Sequence, residues 1–416
     1  MSGKKNITGK VLKAAKTLIG KQPAKKKADR YHMELYKRYP ITLVKGKGCM
    51  VWDDERNEYL DALSGIAVNS LGHSHPRIVR TVQKQAGKLM HISNFYYNQP
   101  QSDLAEKLVK VSGLDRAFFC NSGAEAVEGA IKLARRYANK KGKNGPVLSM
   151  ENAFHGRTLG TIAMGKDKYQ DGFSPMPTGF ERIPFNDVEA LEKRMDKDVS
   201  GVIFEPIQGE GGIVPVSDAY VKRLRELCTE YDVPLIADEV QCGIARTGTM
   251  FGYQHYGVVP DIVASAKALG SGFPIGAVMA REPFASAFDY GNHGTTYGGN
   301  PLACAVALET LNVIEDDDLC EMARKKGEYL MTRLRDISTN WNAIRDVRGR
   351  GLMVGVELNF PGADVVVEMM NRGVLSNCAS NVVIRLVPPL IITKEEIDRL
   401  VDVLVESIKA VEAKQG

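Results

Sequence analysis

The strongest constraint on the fold is an alternation of short apolar runs with segments of helical period. The runs are RAFFC (116–120), PVLSM (146–150), GVIFEP (201–206), PLIAD (234–238) and DIVAS (261–265). Between them lie segments such as 124–138 and 217–231, in which apolar residues recur every three or four positions. Strands that alternate with helices form right-handed crossovers and a largely parallel sheet. We therefore predict an α/β fold whose mostly parallel sheet is covered by helices on both faces.

Segments on both sides of this region predict a smaller α+β unit. The stretch GCMVWDDERNEYLDA (48–62) predicts two short strands joined by an Asp-rich turn. After a long connecting helix at 301–315, the stretch VRGRGLMVGVEL (347–358) begins a second α+β region. The predicted parts are a basic tail at 1–28, an N-terminal segment of the small domain at 29–85, a large domain at 86–310 and the C-terminal part of the small domain at 311–416.

The composition excludes several classes of protein. No apolar run approaches the roughly 20 residues that cross a bilayer, and the N-terminus lacks the apolar core of a secretory signal. The seven cysteines are scattered without a C-x-x-C pair, which indicates reduced thiols. Only His73 and His75 form a close histidine pair, and they have no acidic or cysteine companion. We expect a cytoplasmic protein with no metal ion and no membrane contact, with an organellar matrix as the alternative.

The N-terminal tail is strongly basic. Residues 1–30 contain ten Lys and Arg and one acid, whereas the remaining chain contains 45 bases and 49 acids. Within the tail, Val11, Ala15, Leu18 and Ile19 form one apolar stripe among lysines. Such a segment can be a solvated arm, a contact with a partner subunit, nucleic acid or a membrane surface, or a degenerate presequence. Its few serines and its Lys in place of Arg argue against a presequence, and we expect a solvated arm.

Polar residues follow three of the apolar runs and predict one site. The segment NSGAEA (121–126) offers N-cap residues and a helix N-terminus suited to a phosphate. Asp238 ends a run, and Lys267 lies among small residues, where burial lowers the pKa of a lysine and makes it a nucleophile. Each feature alone also fits a capped helix, an ion pair or a lysine that reaches the surface. Together at the strand ends of one sheet, they supply what pyridoxal phosphate requires.

Six segments resemble, in order and spacing, the class-III pyridoxal-phosphate-dependent aminotransferases. They are NSGAEAVEGAIKLAR (121–135), AFHGRTLG (153–160), EPIQGEGG (205–212), LIADEVQCGIARTG (235–248), SAKALGSGFPIGA (265–277) and HGTTYGGNP (293–301). The resemblance covers residues 35–410. It implies fold type I, in which a large cofactor-binding domain carries a smaller α+β domain built from both ends of the chain.

The resemblance implies how the cofactor is held. Lys267 is expected to bond to the cofactor aldehyde and to move a proton during the reaction, and Asp238 to keep the pyridine nitrogen protonated. Phe154 is expected to stack on the ring. The other implied cofactor residues are His155 beside the ring, Gln241 near its hydroxyl, and Ser122, Gly123 and Ala124 at the phosphate. Thr295 and Thr296 are expected to reach the site of the neighbouring subunit, which implies a homodimer with shared active sites.

The resemblance also implies which residues bind the small-molecule substrates. Arg157 matches an arginine expected on the α-carboxylate of an acylated amino acid, and Arg385 one that clamps the α-carboxylate of glutamate. Glu210 matches an acid that pairs with Arg385 when the ω-amino substrate is bound, and Thr295 is also expected near the substrate. Glu205 has either an ordering or a purely structural role.

Two further segments, HISNFYYNQPQSDLAEKLV (91–109) and GVLSNCASNVVIRLVPPLIIT (373–393), indicate the activity within the family. Their resemblance to one group within the family implies ping-pong transfer of the δ-amino group of N2-acetylornithine to 2-oxoglutarate, a step of arginine biosynthesis. Ornithine, succinylornithine, 4-aminobutyrate and a lysine-pathway donor remain alternatives, because pocket shape separates these substrates. A function of a different class is a non-catalytic binding protein whose tail contacts nucleic acid; the intact Lys267 and Asp238 argue against it.

Overall fold

The computed structural model describes residues 23–415. Its strands are β1 (Leu43–Lys47), β2 (Met50–Asp53), β3 (Glu58–Asp61), β4 (Arg116–Cys120), β5 (Val147–Met150), β6 (Phe180–Ile183), β7 (Gly201–Phe204), β8 (Ile207–Gln208), β9 (Val214–Pro215), β10 (Leu235–Asp238), β11 (Ile262–Ser265), β12 (Gly276–Ala280), β13 (Ile344–Arg350), β14 (Met353–Leu358), β15 (Val374–Leu375), β16 (Asn377–Ala379) and β17 (Val383–Leu386). Its helices are α1 (Pro23–Tyr31), α2 (Ser64–Ala67), α3 (Pro76–Ala86), α4 (Gln99–Ser112), α5 (Gly123–Lys140), α6 (Leu159–Ala163), α7 (Val188–Arg194), α8 (Asp218–Glu230), α9 (Glu282–Ala285), α10 (Pro301–Asp316), α11 (Leu319–Ser338), α12 (Ala363–Asn371) and α13 (Lys394–Gln415).

A seven-stranded sheet lies at the centre, in the order β4-β12-β11-β10-β7-β5-β6. All neighbours are parallel except β12, which runs antiparallel to both β11 and β4. The prediction of a largely parallel sheet is confirmed, and each of the five apolar runs forms one of its strands. Strand β6 was not predicted, because it is an edge strand with a single buried residue, Ile183. Strand β12 was not predicted either, because GAVMA is rich in Gly and Ala, which are depleted in strands.

Helices cover the sheet as their apolar periodicity predicts. The longest covering helix, α5, buries one face that includes Val127, Ile131 and Ala134 and packs against β11 and β12. Full burial of a Val or Ile side chain stabilises a fold by about 1.5–3 kcal/mol. The helix predicted at 217–231 is α8, and the long connecting helix is α10, which packs against α3 and α4. Of these three helices, α5 thus packs directly on the sheet strands beneath the loops that follow them.

The two ends of the chain meet in a second sheet, ordered β1-β2-β3-β15. The predicted hairpin is confirmed as β2 and β3, which pair antiparallel. The C-terminal β15 joins β3 in parallel, with Val374 opposite Leu60. The other four C-terminal strands form a third sheet in the order β13-β14-β17-β16. The division into a large and a small domain stays a prediction, which this sharing of one sheet by both chain ends supports.

A fully buried arginine joins the central region to both chain ends. Arg246 donates through Nη1 to the carbonyl oxygens of Leu352, at 3.0 Å, and Pro388, at 2.5 Å. Its Nη2 lies 3.2 Å from the hydroxyl of Ser70. Burial lowers the pKa of Arg246 to about 9, and the three acceptors replace the water that the guanidinium loses. Three distant stretches of the sequence are therefore fixed around one side chain.

Two further observations apply to residues 23–415. No helix in this range is long and apolar enough to cross a membrane. No group of three or more His, Cys, Asp or Glu side chains in the same range is placed to hold a metal ion. Most of the basic tail, residues 1–22, lies outside the described residues, and its last positions belong to α1.

Candidate active site

The predicted site residues gather at the carboxyl end of the central sheet. Asp238 is the last residue of β10, and Lys267 follows the neighbouring strand β11. Ser122 follows β4 and caps α5, while the segments that begin at Phe154 and Glu205 follow β5 and β7. Parallel strands end at the same edge of a sheet, where ligands bind in α/β folds. The topology thus brings together side chains that are far apart in the sequence.

Asp238 is held in a defined orientation by a buried histidine. Its Oδ2 atom lies 2.7 Å from Nδ1 of His155, and its Oδ1 accepts a hydrogen bond of 3.0 Å from the backbone N–H of Val240. Burial alone would lower the pKa of His155, but the hydrogen bond and charge of Asp238, with the charge of Glu205, raise it. Nε2 of His155 is buried and has no hydrogen-bond partner within residues 23–415. The two hydrogen bonds therefore fix the orientation of the Asp238 carboxyl group at the strand end.

Lys267 has a conformation and an environment that are unusual for lysine. Its backbone φ of 46° lies in the left-handed region, which residues other than glycine rarely adopt. The ammonium group makes no hydrogen bond or salt bridge with the described part of the chain. Burial lowers its pKa, against the opposing charge of Asp238, and Arg385 lowers it further. The structure thus holds a lysine that loses its proton more readily than a surface lysine.

The segment before α5 forms an N-terminal turn with free backbone donors. The hydroxyl of Ser122 accepts a 3.3 Å bond from the N–H of Glu125, and the Glu125 carboxylate accepts a 2.7 Å bond from the N–H of Asn121. The N–H groups of Gly123 and Ala124 lie in the first turn, where no intrahelical acceptor precedes them. A side chain at Gly123 would place its Cβ 2.7 Å from Cγ1 of Val240. Only glycine lets this turn approach the strand end beside Asp238.

Phe154 and Arg157 form an aromatic and cationic group at the rim. The half-buried Phe154 ring meets Tyr169 edge-on at 5.6 Å, and the Arg157 guanidinium lies 4.1 Å over Tyr169. Glu205 accepts hydrogen bonds from the backbone N–H groups of Phe154, at 3.1 Å, and Gly209, at 3.3 Å. Burial raises the pKa of Glu205 to about 7. Glu205 thus joins the loop that carries Phe154 to the loop that precedes Glu210, an ordering role that its sequence position left open.

Arg385 is almost completely buried and pairs with Glu210. Its Nη1 donates a 2.5 Å hydrogen bond to Oε1 of Glu210 and a 3.3 Å bond to Oε1 of Gln241. Its Nε donates a 3.0 Å bond to Oδ1 of Asn377. Burial would raise the pKa of Glu210, but the charge and hydrogen bond of Arg385, with the charges of Lys267 and Lys166, lower it. The predicted pair is therefore formed, and Gln241 contacts Arg385 as well.

Sequence reasoning missed Asn377 and Lys166. Asn377 lies on β16 directly opposite Arg385 on β17, a register that depends on strand pairing and leaves no local signal in the sequence. Lys166 donates a 3.0 Å hydrogen bond to the backbone carbonyl of Glu210. Its position just beyond the AFHGRTLG segment (153–160) was the only available hint.

The two predicted threonines lie in the loop before α10, beside the N-terminal turn of α5. The Thr295 hydroxyl accepts a 3.1 Å bond from the N–H of Gly298 and a 3.4 Å bond from Nδ2 of Asn121. Thr296 is exposed. An open cleft next to this loop is lined by Phe95, Tyr290 and other residues whose side chains face solvent in the single chain. The cleft therefore exposes aromatic side chains beside Thr295 and Thr296.

The donor set fits pyridoxal phosphate. The N-terminal turn of α5 offers N–H donors to a phosphate, and Asp238 offers a carboxylate to a ring nitrogen. The Lys267 amine is unpaired within residues 23–415, as an attachment point for an aldehyde requires. The side chain of Phe154 provides an aromatic face at the same strand edge. Each part of the cofactor therefore has a matching group on this chain.

Comparisons with known proteins agree with this chemistry. The sequence model of the family Aminotransferase class-III matches residues 32–408. A Methanocaldococcus jannaschii protein named acetylornithine aminotransferase is 53% identical over 380 residues, which span 91% of this chain and 96% of that protein. The fold superposes on an ornithine aminotransferase from Toxoplasma gondii with a TM-score of 0.90 and 37% identity, covering 93% and 94% of the two chains. It also superposes on an acetylornithine aminotransferase from Elizabethkingia anophelis with a TM-score of 0.85 and 36% identity, covering 93% and 98%.

Proposed function

The chain belongs to the class-III aminotransferases, and from that premise we propose that it moves the δ-amino group of N2-acetyl-L-ornithine to 2-oxoglutarate. The products are N-acetylglutamate 5-semialdehyde and glutamate, and the step belongs to arginine biosynthesis. The observation that supports this substrate assignment is the 53% identity to an acetylornithine aminotransferase over nearly the whole of both chains. Fold similarity does not separate the donors, because ornithine and acetylornithine enzymes superpose at nearly equal identity.

Pyridoxal phosphate, when bound, supplies an aldehyde that accepts the amino group and a protonated ring that withdraws electrons from the substrate carbon. We propose that Asp238, oriented by His155, holds the proton on the ring nitrogen. Lys267 then serves as nucleophile and as proton carrier, because its lowered pKa increases the fraction of neutral amine. Phe154 stacks on the ring, and Gln241 lies near its hydroxyl.

We propose that the phosphate is held from two subunits. The hydroxyl of Ser122 and the backbone N–H groups of Gly123 and Ala124 bind it within one chain, where the helix dipole favours an anion. Thr296, which is exposed in the single chain, binds it from the neighbouring subunit, and Thr295 lies near the substrate.

The exposed aromatic surface near these threonines supports the proposal of a homodimer. Phe95, Tyr97 and Tyr290 are almost or completely exposed in the single chain. Exposed apolar patches of this kind mark interaction surfaces, and a second copy of the same surface in a twofold arrangement would cover them. We place this dimer in the cytoplasm, since all seven cysteines are free thiols, as expected in a reducing compartment.

Substrate exchange is proposed to depend on Arg157, Arg385 and Glu210. Arg157, exposed at the rim, binds the α-carboxylate of the acylated donor. During that half-reaction Arg385 stays paired with Glu210, so its charge does not compete for the donor. During the other half-reaction the α-carboxylate of glutamate or 2-oxoglutarate replaces Glu210 on Arg385. One site thereby accepts two substrates of different shape without leaving Arg385 unpaired.

The test is a panel of amino donors mixed singly with the purified holoenzyme. Conversion of the aldehyde form of the cofactor to its amine form is followed by absorbance for N2-acetylornithine, ornithine, succinylornithine and 4-aminobutyrate. We expect the highest kcat/KM with N2-acetylornithine. A higher value for any of the other donors would refute the substrate assignment, and a protein that takes up no pyridoxal phosphate would refute the activity.

A further inference from the structure

The exchange of Glu210 for a substrate carboxylate leaves a charge without a partner. The side chain of Glu210 is only 25% exposed, and its one salt bridge within the described residues is to Arg385. Removing one member of a buried pair leaves the other charge uncompensated, which is strongly unfavourable. A site that releases Glu210 in every catalytic cycle therefore needs a second cation for its carboxylate.

Lys166 is placed to be that cation. It is half-buried, and its ammonium lies 3.0 Å from the backbone carbonyl oxygen of Glu210. It forms no salt bridge within the part of the chain that the structure describes. Lys267 also acts on the charge of Glu210, but the proposed function commits it to the cofactor. Of the three cations that act on the charge of Glu210, only Lys166 has no role in binding the cofactor or a substrate carboxylate.

The backbone of Glu210 is fixed, so that its side chain alone has to turn. The hydroxyl of Ser380 donates a second 3.0 Å hydrogen bond to the same carbonyl oxygen that Lys166 contacts. Both lone pairs of that oxygen are therefore used. Rotation between staggered positions of the Glu210 side chain changes the direction of its carboxylate while its carbonyl stays bound to Lys166.

We propose that Lys166 is the second partner of the Glu210 carboxylate. Glu210 pairs with Arg385 while the ω-amino donor is bound and turns to Lys166 when an α-carboxylate occupies Arg385. Lys166 is then a positioning residue that determines how well the site accepts glutamate and 2-oxoglutarate. This inference rests on the proposed function, because only an enzyme with two such substrates needs the exchange.

The test measures the two half-reactions of the holoenzyme separately. Lys166→Met is expected to raise the KM for glutamate about tenfold, the effect of one hydrogen-bonded charge, with kcat little changed. The half-reaction with N2-acetylornithine is expected to change less than about twofold. Lys166→Gln keeps a donor for the Glu210 carbonyl but removes the charge, so it is expected to match Lys166→Met, and Lys166→Arg is expected to restore the wild-type ratio.

Two controls separate the charge of Lys166 from its contact with the backbone. Ser380→Ala removes the other donor to the Glu210 carbonyl without changing charge, and its effect is expected to be equal in both half-reactions. In a Glu210→Gln background, Lys166→Met is expected to have no selective effect. Equal losses in both half-reactions for the Lys166 variants, or a selective loss in Ser380→Ala, would overturn the inference. A wild-type enzyme that reacts with neither substrate would instead refute the proposed function.

Discussion

The pair of Glu210 and Arg385 allows a prediction in which two substrates respond in opposite directions. Glu210→Gln keeps the shape of the side chain and removes its charge. Arg385 is 1% exposed and loses a charged acceptor at 2.5 Å, but it keeps Asn377 and Gln241 as neutral acceptors. Loss of a hydrogen bond between charged groups costs about 1.5–3 kcal/mol. Because the new amide oxygen still accepts one bond, we expect the free energy of unfolding to fall by about 1–2 kcal/mol.

The same substitution is expected to improve binding of α-carboxylates. In the wild-type enzyme, a glutamate α-carboxylate has to displace Glu210 from Arg385, and in the variant it displaces a neutral amide. If the free energy of glutamate binding becomes more favourable by about 1.4 kcal/mol, the KM for glutamate falls tenfold. Binding of N2-acetylornithine gains nothing, because Arg385 without its countercharge then favours the wrong mode of binding, and its KM is expected to rise.

The assay for Glu210→Gln is a pair of single half-reactions followed by cofactor absorbance, together with chemical unfolding. Glutarate, which has two carboxylates and no amino group, serves as an unreactive ligand in a thermal melt. It is expected to raise the Tm of the variant more than that of the wild-type enzyme. If the KM values for glutamate and N2-acetylornithine change in the same direction, the proposal that Glu210 and substrate carboxylates compete for Arg385 is refuted.

Three further predictions follow from the same site. Lys267→Ala is expected to abolish turnover and the visible absorption of the bound cofactor while the protein still folds; full activity would exclude Lys267 as the nucleophile. Arg157→Ala is expected to raise the KM for the amino donor about tenfold or more and the KM for 2-oxoglutarate much less, and equal effects would show that its role is misassigned. Glu205 has a pKa of about 7 in the fold against 4.5 ordinarily, so its protonated form stabilises the fold below pH 4.5, and that contribution is lost as the pH rises to 7. Between pH 4.5 and 7, the free energy of unfolding of Glu205→Gln is therefore expected to rise by up to about 3 kcal/mol relative to that of the wild-type protein, as measured by chemical unfolding. A difference that is independent of pH would refute the raised pKa of Glu205.

Local patterns predicted the strands that matter most for the site. Each of the runs that end near Asp238 and Lys267 is short, apolar and completely buried, so their strand character is visible in any window of five residues. The N-terminal turn of α5 was also predictable, because Ser122 is an N-cap residue whose hydroxyl accepts a hydrogen bond from Glu125, only three positions later.

Contacts between distant segments could not be predicted in the same way. Asn377 meets Arg385 only because β16 and β17 pair in one register, and a shift of one residue would turn Asn377 to the other face. Lys166 meets the carbonyl of Glu210 across 44 positions of the sequence. Such pairs depend on the packed positions of whole elements, and composition and periodicity carry no information about them.

The buried Arg246 has a consequence for the order in which the chain folds during synthesis. A nascent chain that has left the ribosome only as far as residue 350 contains the whole central sheet but lacks Leu352 and Pro388, two of the acceptors of this guanidinium. It also lacks Val374, which joins Leu60 in the sheet shared by both chain ends. Domains generally fold as units during synthesis. Here, however, the segment from Asp238 to Arg246 reaches its final packing only after Pro388, which lies in the last tenth of the chain, has emerged. We therefore expect translation to be nearly complete before the chain can hold its cofactor, so that premature termination products stay inactive and open to proteolysis.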